Sequence, residues 1–391
     1  MRNTIIGIII GIVFGIMAAT TYVAPSLEKA RNQSEAPNVD GAEQLNIDGP
    51  DTISGPAPAA SPAPTPPVLE ENRLQVMSPY PPQTPVLGDL VLHLQHALPT
   101  VTNGKLGLSL IDSHSVHGEG EVLNALTSGA VDAIFATPQE LDASSNALQL
   151  FTAIPFGPNS TEYLAWFHHG GGKELLDKVM LKRGLNVTLC GQLPAEGGGW
   201  FRSPVRQLED LSELTIRAEG LGAQVYAELG AKPVPGTPED ILSQLESDQI
   251  QGLEYSIPSI DRPLGFQQFA RNFYFPGWHQ PLTSFVLAVN TETWEKLPPT
   301  QQDAIAGLCA QNVTSALTAA EAQQFEALKQ LTLEGIQMRR WPEDILAKFG
   351  EAWKTAARKH VQNDREFAEV WASLQDFRRD YTIWNELAKP N

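Results

Sequence analysis

The segment LSELTIRAEGLGAQVYAELGAKPVPGTPEDILSQLESDQIQGLEYS, residues 211–256, has the alternation expected of a β-α-β-α-β unit. Short runs suited to strands begin near Leu214, Lys232 and Gly252, and two amphipathic segments separate them. The second helix opens with a hydroxyl cap, Thr237, followed by proline. Alternating units of this length predict parallel strands with helices packed on the sheet.

Two ionisable side chains lie at strand ends in this unit. Arg217 is on the first strand and Glu254 is on the last. Because open α/β sheets bind ligands beyond the carboxyl ends of their strands, both residues are candidates for one binding site.

The pattern of a helix followed by a strand occurs twice. Residues 122–134, VLNALTSGAVDAI, match residues 241–253, ILSQLESDQIQGL, in their apolar and polar positions without a gap. Any amphipathic helix before a buried strand shares part of this pattern, but the serine-containing turn and the following strand also coincide. We interpret the match as a duplication that gives two α/β lobes, with a cleft suited to a small ligand between them.

Composition excludes one class of partner. The 391-residue chain carries a formal net charge of −18, so it lacks the basic surface that nucleic-acid binding requires. An anionic small ligand is still compatible, since one buried arginine can reverse the charge locally.

The amino terminus predicts a membrane segment. Residues 5–24, IIGIIIGIVFGIMAATTYVA, are almost uninterruptedly apolar and long enough to cross a bilayer. A cleaved signal peptide is the alternative to an uncleaved anchor, but the small-residue cleavage pattern is poor. Gly7, Gly11 and Gly15 line one face of this helix, which would permit close pairing of two copies.

We therefore divide the chain into a membrane anchor or signal segment at 1–24, a linker at 25–78 and a folded domain at 79–391. The linker is rich in Pro, Ala and Ser and has little to bury, which predicts disorder.

Two further motifs suggest other chemistry, and both are weak. His93, His96, His114 and His117 are close in sequence, but their spacing does not form a zinc motif. The sequence His168–Gly172 is similar to an esterase oxyanion loop, yet no G-x-S-x-G motif accompanies it. We expect those glycines to cap the preceding helix, and we expect no enzymatic activity.

The two cysteines, Cys190 and Cys309, could pair outside the cytoplasm. Cys309 lies on an apolar helix face with Ile305 and Leu308, which favours two buried thiols over a disulfide.

Three long helices are expected near the carboxyl terminus. The first runs from Pro299 to about Glu334 and, at about 50 Å, could brace both lobes. Another begins near Pro342, and the last begins at Asn363-Asp364. The last helix needs a partner for its apolar face, which comprises Trp371, Leu374, Phe377, Tyr381 and Trp384.

Two segments carry a resemblance to a known family. Residues 197–256, beginning GGGWFRSPVRQLEDLSELTIRAEG, and residues 273–281, FYFPGWHQP, resemble the solute-binding proteins of tripartite ATP-independent periplasmic (TRAP) transporters, the DctP family. The resemblance covers about 79–387 and is greatest for the subgroup that binds 2-oxoacids with a cation. It implies a two-lobed fold like that of periplasmic binding proteins, with a long helix across both lobes.

The resemblance also implies site residues. Arg217 corresponds to the arginine that clamps the ligand carboxylate. A Na⁺ or Ca²⁺ ion bridging the ligand would be held by Glu196, Glu254 and Gln280, without an organic cofactor. Here Glu196 stands where the subgroup has glutamine, and Gln280 stands where the subgroup often has glutamate, so the number of carboxylates is kept while their positions change. The substrate-binding set implied is Arg217, Glu196, Trp200, Glu254, Tyr255 and Trp278.

We therefore expect a periplasmic solute-binding subunit, tethered to the inner membrane through residues 5–24. It would capture a small organic anion, a mono- or 2-oxo-carboxylate, and deliver it to a TRAP membrane permease. A homodimer is expected from the glycine face and the aromatic last helix. The alternative is a membrane-anchored ligand sensor or scaffold that uses the same fold without transport, which the absence of a neighbouring permease gene would favour.

Overall fold

The computed structural model describes residues 72–111 and 121–388, in which the strands form two sheets. The first sheet has the order β2-β1-β3-β10-β4, and the second has the order β11-β9-β5-β8-β6-β7. The strands are β1 (Arg73–Met77), β2 (Gly107–Ile111), β3 (Ala133–Ala136), β4 (Leu185–Leu193), β5 (Trp200–Phe201), β6 (Thr215–Arg217), β7 (Lys232–Val234), β8 (Gly252–Leu253), β9 (Asn272–Phe275), β10 (Thr283–Asn290) and β11 (Gln337–Arg340).

Helices cover both sheets and connect their strands. They are α1 (Leu87–Val101), α2 (Glu121–Thr127), α3 (Pro138–Leu141), α4 (Asn146–Thr152), α5 (Ser160–His169), α6 (Gly172–Leu181), α7 (Gly220–Glu228), α8 (Pro238–Glu246), α9 (Pro258–Leu264), α10 (Thr291–Lys296), α11 (Pro299–Leu333), α12 (Glu343–Asn363) and α13 (Arg365–Ala388). Of these described helices, none combines the length and apolar character that a membrane span requires.

The predicted β-α-β-α-β unit is present as β6-α7-β7-α8-β8. Strand β6 pairs in parallel with both β7 and β8. Helix α8 begins with the expected cap, since the Thr237 hydroxyl accepts from the Asp240 N–H and the Asp240 side chain accepts in return from the Thr237 N–H. Strand β8 is shorter than the sequence predicted and ends at Leu253, so Glu254 follows the strand.

The first sheet repeats this unit as β1-α1-β2-α2-β3. Strand β1 pairs in parallel with β2 and β3, as β6 does with β7 and β8. The third strand of each unit then has an antiparallel neighbour, β10 for β3 and β5 for β8. The two matching segments, 122–134 and 241–253, correspond to α2-β3 and α8-β8. The predicted pair of α/β lobes is therefore confirmed.

The predicted boundary of the linker at residue 78 is wrong, because β1 lies within it. Leu74, Val76 and Met77 are buried, and β1 is flanked by parallel strands on both sides. The remainder of the predicted linker up to residue 71 and the predicted membrane segment lie outside the described residues.

Helix α11 packs against β4, α1 and α9, as expected for a brace. Its first half buries Ile305 and Leu308 in the core of the first lobe, and Leu331 near its end lies in the core of the second lobe. The expectation of two free thiols is wrong, since Cys190 on β4 and Cys309 on α11 form a disulfide. The apolar face of α11 indicated burial correctly, but that face packs on the strand that carries Cys190.

Helix α13 buries only its first half. Phe367, Val370 and Leu374 join the core, whereas Ile383, Trp384 and Leu387 are 61%, 65% and 80% exposed. The apolar face predicted for this helix therefore lacks a partner beyond about residue 381 within the described chain.

Candidate functional site

Arg217, at the carboxyl end of β6, is buried at the centre of the site. Its Nε donates to the Gly236 carbonyl at 3.2 Å and its Nη1 to the Glu254 carbonyl at 2.9 Å. Its Nη2 forms an ion pair with Glu219 Oε1 at 2.8 Å. The guanidinium lies 5.2 Å from the centroid of the Tyr255 ring, within cation–π distance. The backbone thus fixes two nitrogens, and side chains surround the third.

Glu254 follows β8 and is buried beside Arg217. Its Oε1 accepts from the Glu219 N–H at 3.2 Å, while its Oε2 accepts no hydrogen bond from the described residues. Burial raises the pKa of this carboxyl, His279 and Arg217 oppose the shift, and the charge of Glu196 adds to it. The site therefore contains a buried carboxylate oxygen that lacks a donor.

Glu196 lies between β4 and β5 and is also buried. Its Oε2 accepts from Gln280 Nε2 at 2.8 Å, and its Oε1 accepts from the Thr283 hydroxyl at 3.0 Å. Burial raises the pKa of Glu196 to about 8, although these hydrogen bonds and the charge of Arg217 lower it. The protein alone thus only partly compensates a charge at this position.

His279 connects the two carboxylates. Its Nε2 is 3.3 Å from Glu254 Oε2 and 3.6 Å from Glu196 Oε2, but neither contact has the alignment of a hydrogen bond. Burial lowers the pKa of this imidazole, and the charge of Glu254 raises it. Gly277 permits the turn that brings His279 here, because a Cβ at that position would lie 2.3 Å from the Glu196 carbonyl oxygen.

The two tryptophans of the predicted site are buried core residues. Trp200 stacks on Phe273 at 3.8 Å and donates through Nε1 to Asp261 Oδ2 at 2.8 Å. Trp278 stacks on Phe349 at 4.3 Å and is 3% exposed. Both side chains therefore lie in packed layers, and neither is an open wall of the site.

Tyr255 is partly buried and has charged surroundings. Burial raises its pKa, Arg217 opposes this shift, and the carboxylates of Asp261, Glu140 and Glu219 add to it. Tyr255 packs against the core clusters of both lobes, so the two lobes approach each other at this residue.

The first lobe contributes polar and aromatic side chains after β1 and β3. Tyr80 donates through its hydroxyl to Glu140, which also accepts from the Thr137 N–H at 2.8 Å in a helix cap. The side chain of Gln139 lies against the start of α7, since a Cβ at Gly220 would be 2.7 Å from its Oε1. Tyr80 is thus an aromatic side chain that the first lobe supplies beside Glu140.

Sequence reasoning missed several of these residues. Glu219 could have been found, because it follows Arg217 by two residues in extended backbone, where side chains two apart point to the same side. Thr283 carried no motif of its own, and Tyr80 follows a strand that was not predicted. The position of His279 between two acids depends on the fold of three separate loops.

Among the described residues, no group of three or more His, Cys, Asp or Glu side chains is arranged as a preformed metal site. His114 and His117 lie outside the described range. The oxygen-rich set of Glu196, Glu254 and Gln280 nevertheless suits a hard cation in its chemistry. The donor-free Oε2 of Glu254 and the raised pKa of Glu196 both indicate that the protein alone would not fully compensate a negative charge on these carboxyls.

Solved structures share this fold. A TRAP transporter solute-binding protein from Bordetella bronchiseptica RB50 superposes with a TM-score of 0.78 at 25% identity, over 81% of this chain and 95% of that one. It is a mixed-occupancy dimer with copurified calcium and picolinate in one active site. A relative from Colwellia psychrerythraea, with bound calcium and pyruvate, gives 0.77 at 26% identity over 81% and 97%.

Sequence relatives agree with the structural ones. A monocarboxylate 2-oxoacid-binding periplasmic protein from Nostoc sp. strain PCC 7120 is 26% identical over 289 residues, 73% of this chain and 79% of the relative. Residues 77–364 match the DctP family, described as bacterial extracellular solute-binding protein, family 7. The chain therefore belongs to the DctP family of extracellular solute-binding proteins.

Proposed function

We propose that this protein is the periplasmic subunit of a TRAP transporter that captures a small monocarboxylate, a 2-oxoacid, and delivers it to the membrane permease. The observation that carries the proposal is the buried guanidinium of Arg217 at a strand end, where the two lobes meet. The Nostoc and Colwellia relatives, which bind 2-oxoacids and pyruvate, favour this ligand class.

Arg217 would bind the ligand carboxylate. Two backbone carbonyls hold its Nε and Nη1, so the guanidinium is fixed in orientation before the ligand arrives. A planar group with several donors matches a carboxylate better than a lysine ammonium does. Burial excludes water and strengthens the ion pair.

Glu196, Glu254 and Gln280 would hold a Na⁺ or Ca²⁺ ion beside the ligand. Such an ion would supply positive charge that allows two buried carboxylates and an anionic ligand to share one cleft. Calcium in the Bordetella and Colwellia relatives supports this assignment. His279 would then separate the carboxylates of Glu196 and Glu254.

Calorimetry on the purified full-length chain tests the proposal. Pyruvate and 2-oxobutyrate are titrated in Ca²⁺, in Na⁺ and in sodium-free buffer with a chelator, with succinate and glucose as controls. We expect the 2-oxoacids to bind with a cation present and to bind much more weakly without it. Failure of every carboxylate to bind in all three buffers would remove the proposed function.

The membrane tether remains a proposal based on the apolar residues 5–24. Retention of the intact chain in a washed membrane fraction, with release after deletion of 1–24, would support it. Recovery of an amino-terminally shortened chain in the soluble periplasmic fraction would contradict it.

The homodimer is proposed on the exposed apolar end of α13, where Ile383, Trp384 and Leu387 lie. Sedimentation of the chain should show a dimer, and combined Trp384→Ser and Leu387→Ser should shift it toward monomer. A wild-type monomer at micromolar concentration would refute the dimer.

A further inference from the structure

The third guanidinium nitrogen of Arg217 differs from the other two. Carbonyl oxygens of Gly236 and Glu254 accept from Nε and Nη1, and both belong to the backbone. Nη2 is instead paired with a side chain, Glu219 Oε1, at 2.8 Å. A backbone contact cannot leave without moving the chain, whereas a side chain can rotate away. Nη2 is therefore the position at which Arg217 can exchange one carboxylate for another.

The Glu219 side chain can leave Nη2 without a change in its backbone. Its backbone is fixed, since its N–H donates to Glu254 Oε1 at 3.2 Å and its carbonyl accepts from the Ala223 N–H at 3.2 Å. Its side chain is 46% exposed and, although Glu219 is the N-cap residue of α7, it makes no capping hydrogen bond. Removal of its charge should therefore leave the helix intact.

The position of Glu219 also places it in the ligand's path. It immediately precedes Gly220, where the Gln139 side chain of the first lobe lies against α7. A ligand carboxylate that approaches Nη2 between the lobes would lie next to the negative charge of Glu219, which is itself in contact with Nη2. The two like charges would repel each other.

We infer that the Glu219 carboxylate competes with the ligand carboxylate for Arg217. Glu219 occupies the ligand's position on Nη2 and must be displaced when an organic acid binds. This inference rests on the proposed function of the site. Glu219 thereby lowers the affinity for carboxylates and selects for ligands that can outcompete an internal glutamate, namely those that also gain contacts elsewhere in the cleft.

Calorimetry with pyruvate, Ca²⁺ and the full-length chain tests the inference through Glu219→Gln. The amide keeps the size of the side chain but removes its charge, so the affinity for pyruvate should rise about two- to fivefold, the upper part of the range for a partly exposed ion pair. The matched control is Glu246→Gln, an exposed residue of the same lobe on α8 that changes the net charge equally and should leave the affinity unchanged. An affinity that is unchanged or lower in Glu219→Gln would overturn the inference, since it would make Glu219 a support for Arg217.

A neutral analogue separates competition from a general effect. Methyl pyruvate lacks the carboxylate, so Glu219→Gln should not raise its affinity, and an equal rise for both compounds would also refute the competitor. If wild type binds pyruvate and the variant does not improve, the proposed function stands and only this inference fails. If neither protein binds any acid, both are wrong.

Discussion

The two lobes have the same β-α-β-α-β framework but present different chemistry at their strand ends. In the second lobe, Arg217 is the last residue of β6 and Glu254 follows the neighbouring parallel strand β8, and both are buried. At the corresponding ends in the first lobe lie Tyr80 and Thr137, which are joined through Glu140. The comparison teaches that topology determines where a ligand can bind, whereas a few residues beyond each strand determine which lobe would supply the charge.

The lobes also differ in how they are attached to α11. The first lobe is linked to it covalently, through Cys190 and Cys309, in addition to the apolar packing of Ile305. The second lobe contacts the end of the helix through Leu331 and an ion pair between Arg262 and Glu334. The first lobe together with α11 should therefore resist unfolding more than the second lobe does, and the second lobe should be the more mobile of the two.

The largest expected effect is the loss of the disulfide. Combined Cys190→Ala and Cys309→Ala should lower the free energy of unfolding by about 4 kcal/mol, because the bond closes a loop of 119 residues. Urea unfolding measures this, and a reductant should have the same effect on wild type only. Leu331→Ala tests the attachment of the second lobe to α11 and should lower the free energy of unfolding by about 2–5 kcal/mol. A change below about 1 kcal/mol in the cysteine variant would show that the covalent link does not distinguish the lobes.

The second largest effect concerns the charge of the second lobe. Arg217→Lys should weaken pyruvate binding more than about 100-fold, roughly 3 kcal/mol, because a single ammonium nitrogen cannot reproduce the planar, forked donor geometry of the guanidinium. Arg202→Lys is the matched control, since Arg202 is in the same lobe and pairs with Asp248 at 3.2 Å. Unchanged affinity in Arg217→Lys, measured by calorimetry on a folded protein, would remove this residue from the site.

Much of the framework could be predicted from local signals. The β6-α7-β7-α8-β8 unit has clear periodicity and a capping box at the start of α8, so propensity and tertiary structure agree there. Strand β1 was missed because it directly follows a proline-rich tail and only five residues form it. The disulfide was missed for a different reason: an apolar helix face shows that Cys309 is buried, but only the packing of α11 on β4 shows what lies opposite.

The site was predictable only in part. Arg217 and Glu254 follow from the rule on strand ends, and the family resemblance supplied Glu196 and Gln280. The central position of His279 depends on loops from distant parts of the chain, which no local pattern encodes. Burial of Trp200 and Trp278 in the core likewise depends on tertiary packing, against Phe273 and Phe349 respectively.

The next prediction uses Asp261, a buried acid of the second lobe that accepts from Trp200. Burial raises its pKa to about 8 from an ordinary 3.8. Because the folded state holds this proton more tightly, its contribution to stability is complete below pH 4 and is lost as pH rises through about 8. The variant Asp261→Asn lacks this titration. Between these two pH values its free energy of unfolding should therefore fall less than that of wild type, by up to about 1.4 kcal/mol per pH unit.

Urea unfolding at pH 5, 7 and 9 measures the effect for Asp261→Asn against wild type. Asp303→Asn, an exposed acid on α11, is the control and should follow wild type at every pH. A stability difference between Asp261→Asn and wild type that does not change with pH would show that Asp261 is already charged in the folded protein.

The smallest expected effect is a change of about tenfold in affinity on substitution of Glu196. It tests whether the Glu196 carboxylate binds a cation. Glu196→Gln should weaken pyruvate binding in Ca²⁺, because one of the two carboxylates available to a hard cation is lost. Raising the Ca²⁺ concentration should partly restore it. Since Gln280 Nε2 now donates to Glu196 Oε2, adding Gln280→Glu reverses the pair and returns the carboxylate to the same place. The double variant should regain affinity and cation dependence in calorimetry. If Glu196→Gln binds as wild type does in chelated, sodium-free buffer and in Ca²⁺ alike, Glu196 serves the fold and not an ion.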